Sequence, residues 1–138
     1  YGIDKGISTV HGDITTPKTF IKQKFNVILD SYALYSNIED HTIKGYKECY
    51  DLLENEGFFL TCCFGKNTDG FGTGKKVTEN SYTNIKGVLS NGGVQSFFSK
   101  EDLTRIFKDV GFNVEYYENI LEDRNGELVE KHITCLTK

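Results

Sequence analysis

Residues 25–64 read FNVILDSYALYSNIEDHTIKGYKECYDLLENEGFFLTCCF, and this stretch decides the fold. It begins with a continuous apolar run that ends at a carboxylate, Asp30, which is typical of a parallel strand covered on both faces. Residues 57–64 form a second run of the same kind. Because parallel strands need a long connection, usually a helix, the stretch predicts a strand, helix and strand unit. An α/β fold follows.

The connection between the two strands carries a helical pattern. Glu39 and Asp40 supply an acidic first turn, which suits the positive end of the helix dipole. Apolar positions then step by three and four, at Ile43, Tyr46, Tyr50 and Leu53. We expect this helix to end near residues 55–57.

The C-terminal part predicts one more helix and a hairpin. Ser99 is a good N-cap with Asp102 three residues on, and Gly111 is a typical stop. The apolar face between them consists of Leu103, Ile106, Phe107 and Val110. Residues 114–121 and 128–136 flank an Asn-Gly pair at 125–126, which predicts an antiparallel hairpin. The sheet should therefore be mostly parallel and end in an antiparallel pair.

The N-terminal part is less regular. Residues 9–13 suggest a short strand that ends at Asp13, followed by turn residues at 15–17 and a short helix. Asp4 follows another short apolar stretch, although the spacing to Asp13 leaves no room for a crossover helix. In open α/β sheets, ligands bind beyond the carboxyl ends of the strands, so both aspartates and Asp30 become candidate binding residues.

Residues 65–97 are rich in Gly, Asn, Thr and Lys and show no clear periodicity. About thirty such residues are too many for a plain connector, which favours a substrate loop or lid. The stretch Gly70–Lys76 does not match a phosphate loop, because the residue after Lys75 is another Lys and no helix is expected to follow.

Composition limits the possible partners. The 138 residues suffice for one domain, with a formal net charge of −4 and no run of Lys or Arg. We therefore expect no nucleic acid partner. No apolar run approaches the roughly 20 residues of a membrane span, so we expect no membrane partner either. The absence of Met suggests that residues before Tyr1 are not shown.

Four cysteines occur without CxxC spacing, at Cys49, Cys62, Cys63 and Cys135. All four lie in or beside predicted helices or strands. We expect free buried thiols, a cytoplasmic location and no metal site.

Four segments in the same order resemble one known family. They are FNVILDSYAL at 25–34, GYKECYDLLENEGFFLTCCFG at 45–65, FGTGKKVTENSYTN at 71–84 and FFSKEDLTRIFKDVGF at 97–112. The family is the class I S-adenosylmethionine-dependent methyltransferases, especially the small bacterial enzymes of the methyltransferase-domain and tellurite-resistance-like type. The resemblance implies a Rossmann-like sheet and S-adenosyl-L-methionine as cofactor. It also departs from the family, because the N-terminal glycine-rich motif is absent and the chain corresponds to a partial methyltransferase domain.

The resemblance also implies roles for individual residues. The cofactor-binding positions would be Asp4 at the ribose, Asp13 and Ile14 at the adenine, and Asp30 and Ser31 near the methionine part. The substrate-side aromatics would be Tyr32, Tyr35, Phe71 and Tyr82. Methyl transfer is an in-line displacement from a sulfonium, so the protein mainly aligns the reactants, and aromatic faces favour the positive charge. No catalytic base is assigned.

Methyl transfer to a small molecule is the leading prediction. One alternative is a non-catalytic chain of this fold that acts by forming a homo-oligomer through an exposed sheet edge. Another is a nicotinamide-dependent oxidoreductase on a Rossmann sheet, which would need the same missing glycine motif.

Overall fold

The structure is a computed structural model that describes residue 6 and residues 8–138. In chain order its elements are a 3-10 turn (Pro17–Thr19), β1 (Phe25–Ser31), α1 (Glu39–Leu52), β2 (Leu53–Phe64), β3 (Lys75–Lys76), β4 (Ser81–Thr83), β5 (Gln95–Ser96), α2 (Lys100–Val110), β6 (Asn113–Arg124) and β7 (Glu127–Thr137).

The main sheet has four strands in the order β1, β2, β7, β6. β1 runs parallel to β2, whereas β7 runs antiparallel to both β2 and β6. This arrangement confirms the predicted α/β fold with an antiparallel pair at its C-terminal end. The sheet is mixed, and among the described residues β1 and β2 are its parallel pair. β1 lies at one edge, so it pairs with a single strand within the described part of the chain.

Both helices pack on the same face of this sheet. Tyr46 of α1 and Phe107 of α2 have ring centroids 5.3 Å apart, and Tyr46 lies 5.9 Å from Phe59 of β2. Each of these three side chains is at most 1% exposed. Because aromatic side chains remove large apolar areas from water, they form the centre of the core.

Local sequence signals set the limits of α2. The Ser99 side chain accepts from the Asp102 N–H at 3.2 Å, and the Asp102 carboxylate accepts from the Ser99 N–H at 3.0 Å. This capping box satisfies two groups at the start of the helix. Gly111 ends the helix at φ 110°, a left-handed conformation that favours glycine. The predicted helix is confirmed.

The predicted hairpin is also confirmed. Asn125 and Gly126 have φ values of 57° and 85°, as a two-residue type I′ turn requires. The Gly126 N–H donates to the Asp123 carboxylate at 2.7 Å, which adds a local constraint to the turn. The paired strands are longer than predicted and run from Asn113 to Thr137.

The end of α1 differs from the prediction. The helix ends at Leu52, and β2 begins at the next residue rather than at residue 57. Leu53 has extended backbone angles (φ −76°, ψ 142°), is fully buried and pairs with Phe25. Leu53 is buried as the first residue of β2, at a position that also fits the apolar spacing of α1. The spacing alone therefore predicted a helix that was too long.

The strand predicted at residues 9–13 is wrong. These residues have no regular structure, and Val10 is 58% exposed. A strand needs a hydrogen-bonded partner, which a short apolar stretch does not supply by itself. The short helix predicted after them is present as the 3-10 turn at Pro17–Thr19. The strand end predicted at Asp4 lies outside the described residues.

Among the described residues, only one face of β1 is covered, whereas the sequence predicted cover on both faces. Val27 and Leu29 are 62% and 64% exposed, whereas Asp30 on the other face is 5% exposed. Helices α1 and α2 both lie on the Asp30 side, and no described helix packs over Val27 and Leu29. The continuous apolar run of β1 therefore did not indicate on which face of the strand the helices pack.

The segment 65–97 contains a second, three-stranded sheet in the order β3, β4, β5. Polar side chains are buried there, including Asn80, Ser81 and Gln95. The Ser81 and Ser96 hydroxyls lie 2.8 Å apart, which links β4 to β5. The glycine-rich stretch leads into β3 rather than into a helix, in agreement with the exclusion of a phosphate loop. Movement of this segment over a substrate stays a prediction.

Two glycines of this segment provide a matched pair of substitutions. Gly72 and Gly74 both have left-handed φ values, 76° and 71°. An added Cβ would meet nothing at Gly72, whereas at Gly74 it would clash with the carbonyl oxygen of Thr83. We expect Gly72→Ala to cost about 1 kcal/mol from backbone strain. Gly74→Ala should cost about 1–3 kcal/mol more, because backbone must shift. Urea unfolding measures the free energy of unfolding of both variants, and equal losses would contradict the clash expected at Gly74.

Candidate functional site

The carboxyl ends of β1 and β2 lie side by side, with Asp30 paired to Thr61 and Ser31 to Cys62. This edge is where open α/β sheets bind ligands. It carries four of the predicted site residues: Asp30, Ser31, Tyr32 and Tyr35.

Asp30 is engaged inside the protein. One carboxylate oxygen accepts from the N–H groups of Ala33 and Leu34, both at 3.1 Å, and the other accepts from the Thr61 hydroxyl at 2.8 Å. Burial raises the pKa of this carboxyl, and the three hydrogen bonds oppose that shift. The side chain thus holds the turn that follows β1.

Tyr32 stands on that turn in a left-handed conformation, with φ 57°. A bulky residue seldom adopts this conformation without support from its surroundings. Its ring stacks on Phe64 at 5.1 Å, and Tyr35 meets the same ring edge-on at 5.0 Å. Tyr35 is 7% exposed and belongs to the core, whereas Tyr32 is partly exposed.

Phe71 and Tyr82 form a second aromatic cluster with Phe97. The Phe71 ring lies 5.3 Å from Tyr82 and 5.5 Å from Phe97. Tyr82 is only 9% exposed. Within the described residues, no close ring pair joins this cluster to Tyr32, so the structure does not bring the four predicted aromatics into one group.

A cavity of about 320 Å³ lies beside β1, between this strand, α1 and the segment around Pro17. Its lining is largely apolar and includes Ile14, Asp30 and Ser31, which the sequence analysis assigned to the cofactor. Asp13 precedes Ile14 in the chain and is not itself part of the lining. One of its carboxylate oxygens accepts from both the N–H and the hydroxyl of Thr15 at 2.8 Å. These hydrogen bonds lower the pKa of Asp13.

Sequence reasoning missed a buried polar network on β7. His132 is 1% exposed, with Nδ1 2.7 Å from the Tyr117 hydroxyl and Nε2 2.9 Å from the Phe98 carbonyl oxygen. Glu130 is 4% exposed and accepts from the Asn67 N–H at 2.9 Å. The sequence did carry one indication of this network. Polar residues at 130, 132 and 134 alternate along β7, so they lie on one face of the strand, where apolar residues are expected if that face is buried.

Electrostatics keep His132 neutral and Glu130 charged. Burial lowers the pKa of His132, although the nearby Glu130 acts in the opposite direction. Burial by itself would raise the pKa of Glu130, but hydrogen bonds from Asn67 and Asn119 bring it below the ordinary value. A neutral His132 can donate from Nε2 to the Phe98 carbonyl and accept from Tyr117 at Nδ1.

The cysteines are free thiols, and the acidic groups in the described part of the chain do not cluster as metal ligands. All four cysteines are free, and burial raises the pKa of Cys49 to about 12, which disfavours a thiolate nucleophile. Within residues 6 and 8–138, no group of three or more His, Cys, Asp or Glu side chains could hold a metal ion. No helix in that part of the chain is long and apolar enough to cross a membrane.

No family model matches the sequence, and no curated protein matches it. Solved structures do match. A methyltransferase from Mesorhizobium loti aligns with a TM-score of 0.72 at 14% identity, over 99% of this chain and 72% of that one. The chain has the fold of the S-adenosylmethionine-dependent methyltransferases. The predicted class I methyltransferase fold is therefore confirmed.

Two further structures with the methyltransferase fold are similar. A methyltransferase from Methanosarcina mazei gives a TM-score of 0.69 at 12% identity, over 92% of this chain and 65% of that one. The other is the 1,6-didemethyltoxoflavin-N1-methyltransferase of Burkholderia thailandensis, solved with bound 1,6-didemethyltoxoflavin and S-adenosylhomocysteine. It gives a TM-score of 0.61 at 12% identity, over 94% of this chain and 50% of that one. The chain thus spans about half to two thirds of these two proteins.

Proposed function

We propose that this chain serves S-adenosylmethionine-dependent methyl transfer to a small-molecule acceptor. The observation that carries the proposal is the methyltransferase fold, which the chain shares over nearly its whole length with enzymes of this activity. The net charge of −4 makes a polyanionic acceptor such as nucleic acid unfavourable. Four free thiols suit a reducing compartment such as the cytoplasm.

The residues around the β1 cavity fit the adenosyl half of the cofactor. The lining is mainly apolar and of a volume at the lower end of small-molecule sites, with Ile14 placed to pack on a flat ring. Asp13 offers a carboxylate for an exocyclic amine through the oxygen that Thr15 does not use. When bound, the cofactor supplies an activated methyl group on a sulfonium.

Asp30 contributes indirectly in this proposal. Its carboxylate is already bound to Ala33, Leu34 and Thr61, so it positions Ser31 and Tyr32 rather than contacting the cofactor itself. Tyr32 is the aromatic at this end of the sheet that remains partly exposed and available to an acceptor. Phe71 and Tyr82 would bound the acceptor from the segment 65–97.

Titration calorimetry of the chain with S-adenosylhomocysteine tests the proposal. We expect a dissociation constant in the micromolar range. Ile14→Lys should weaken binding at least tenfold, because it places a charge in the apolar lining. Val10→Lys is the matched control, since Val10 is 58% exposed and does not line this cavity.

The same titration separates the alternatives. Binding of NADH in place of S-adenosylhomocysteine would favour the oxidoreductase. Binding of neither ligand by a folded chain of the expected mass would favour the non-catalytic alternative. Intact-mass measurement on the same sample ensures that 138 residues are being tested.

A further inference from the structure

A buried carboxylate on β7 holds the turn 65–69, which follows β2. Glu130 is 4% exposed. One of its carboxylate oxygens accepts from the Asn67 N–H at 2.9 Å, and the other accepts from the Asn119 side chain at 2.8 Å. Hydrogen bonds to a charged acceptor are stronger than those to a neutral one. The carboxylate therefore restrains the turn from its inner side.

The backbone of Glu130 holds the same turn. Its carbonyl oxygen accepts from the Gly65 N–H at 2.9 Å and from the Thr68 hydroxyl at 3.1 Å. Its N–H donates to that hydroxyl at 3.0 Å. Because β7 is paired on both sides, with β2 and with β6, the turn is fixed to the interior of the sheet.

Gly65 provides the space that the carboxylate occupies. An added Cβ at this position would clash with the Glu130 carboxylate. Gly65 is not among the residues with positive φ, so its backbone conformation does not require glycine. The close approach of the carboxylate explains why a glycine stands here.

The turn leads directly to an aromatic side chain on the acceptor side of the proposed site. The Phe71 N–H donates to the Thr68 carbonyl oxygen at 3.0 Å. The Phe71 ring then meets the Tyr82 ring edge-on, with centroids 5.3 Å apart. A shift of the turn would therefore move Phe71 away from Tyr82.

We propose that Glu130 is a positioning residue for the acceptor side of the methyl-transfer site. It fixes the turn 65–69, and the turn fixes Phe71 against Tyr82. This role rests on the proposed function, which places the acceptor beside these two aromatics. Glu130 does not line the cavity that fits the adenosyl half of the cofactor, so cofactor binding does not depend on it.

Nitration of tyrosines by tetranitromethane, measured by mass spectrometry, reports on the position of Phe71. Tyr82 is 9% exposed and lies against Phe71, whereas Tyr116 is 52% exposed and serves as the internal reference. Glu130→Ala frees the turn, so we expect nitration of Tyr82 relative to Tyr116 to rise several-fold. Asn119→Ala is the matched control, because it removes the other partner of the carboxylate and leaves the bonds to the turn. It should leave the nitration of Tyr82 unchanged.

Two further variants separate positioning from a general loss of structure. Glu130→Gln should keep the wild-type nitration, because its amide oxygen can accept from Asn67 and its NH₂ group can donate to Asn119 when that amide turns over. Gly65→Ala should raise the nitration of Tyr82 by displacing the carboxylate, and it frees the turn even if Glu130→Ala does not fold.

Two measurements on the same samples accompany the nitration. Hydrogen exchange in α2 should stay at the wild-type rate in each folded variant, since the change is confined to the turn and the segment after it. Titration calorimetry should give a dissociation constant for S-adenosylhomocysteine within about twofold of the wild-type value, because the two sites are separate.

Unchanged nitration of Tyr82 in both Glu130→Ala and Gly65→Ala would overturn the positioning role. An equal rise in Asn119→Ala, or faster exchange throughout α2 in every variant with raised nitration, would overturn it too. Failure of the wild-type chain to bind S-adenosylhomocysteine is a different result. It would overturn the proposed methyl transfer and, with it, the acceptor-side role.

Discussion

Replacing Asp30 by alanine is expected to remove about 3–5 kcal/mol from the free energy of unfolding, a large fraction of the roughly 5–15 kcal/mol that is typical of a folded domain. Three donors, the N–H groups of Ala33 and Leu34 and the hydroxyl of Thr61, lose their acceptor. Asp30 and Thr61 are almost fully buried, so water cannot readily replace the carboxylate. The loss would appear as a lower midpoint in urea unfolding.

Asp30→Asn is the matched variant. The amide oxygen can still accept from the two backbone N–H groups, and the side chain carries no charge. We expect a stability within about 1 kcal/mol of the wild type at neutral pH. A loss equal to that of the alanine variant would contradict this account, because it would mean that the charge rather than the acceptor matters.

The pH dependence has a definite sign for Asp30. Because burial raises its folded pKa, the folded state holds this proton more tightly than the unfolded state does. The contribution of this group to stability is therefore fully present below the unfolded pKa and is lost as the pH rises through the folded pKa. The Asn variant should lack this component.

His132 is expected to produce the second large effect, a loss of stability in mild acid. Its pKa in the folded state lies below the ordinary value for histidine, because burial disfavours the charged ring. The unfolded chain therefore takes up a proton first as the pH falls below about 6.5. The stabilisation present above that pH is lost as the pH falls through the folded pKa, at up to about 1.4 kcal/mol per pH unit.

His132→Ala should cost about 2–4 kcal/mol at neutral pH, because it leaves a cavity and removes the contacts to Tyr117 and Phe98. It should also remove the acid-sensitive component. His41→Gln is the control, since His41 is exposed on α1 and its replacement should cost little stability at neutral pH. An identical acid sensitivity in His132→Ala and the wild type would contradict the role assigned to the buried ring.

Elements whose signals are local could be predicted from the sequence. The capping box at Ser99 and Asp102 and the left-handed turn at 125–126 lie within a few residues, and the structure has both. The strand predicted at residues 9–13 failed, because a strand is stable only with a partner that the local sequence does not contain. The candidate site shows the same division. Asp30 and Ser31 were found as a strand end. The engagement of both Asp30 oxygens, one by the turn that follows β1 and the other by Thr61 of β2, was not.

The sequence by itself determined the strand, helix and strand unit, the C-terminal helix and hairpin, and the methyltransferase resemblance, because these depend on apolar periodicity, caps, turns and motif order along the chain. Only the tertiary structure decided on which face of β1 the two helices pack. It also decided that Glu130 meets the 65–97 segment and that His132 meets Phe98, just before α2. The physical reason is that burial and pairing depend on contacts between residues far apart in the chain, such as His132 with Phe98. No local pattern records those contacts.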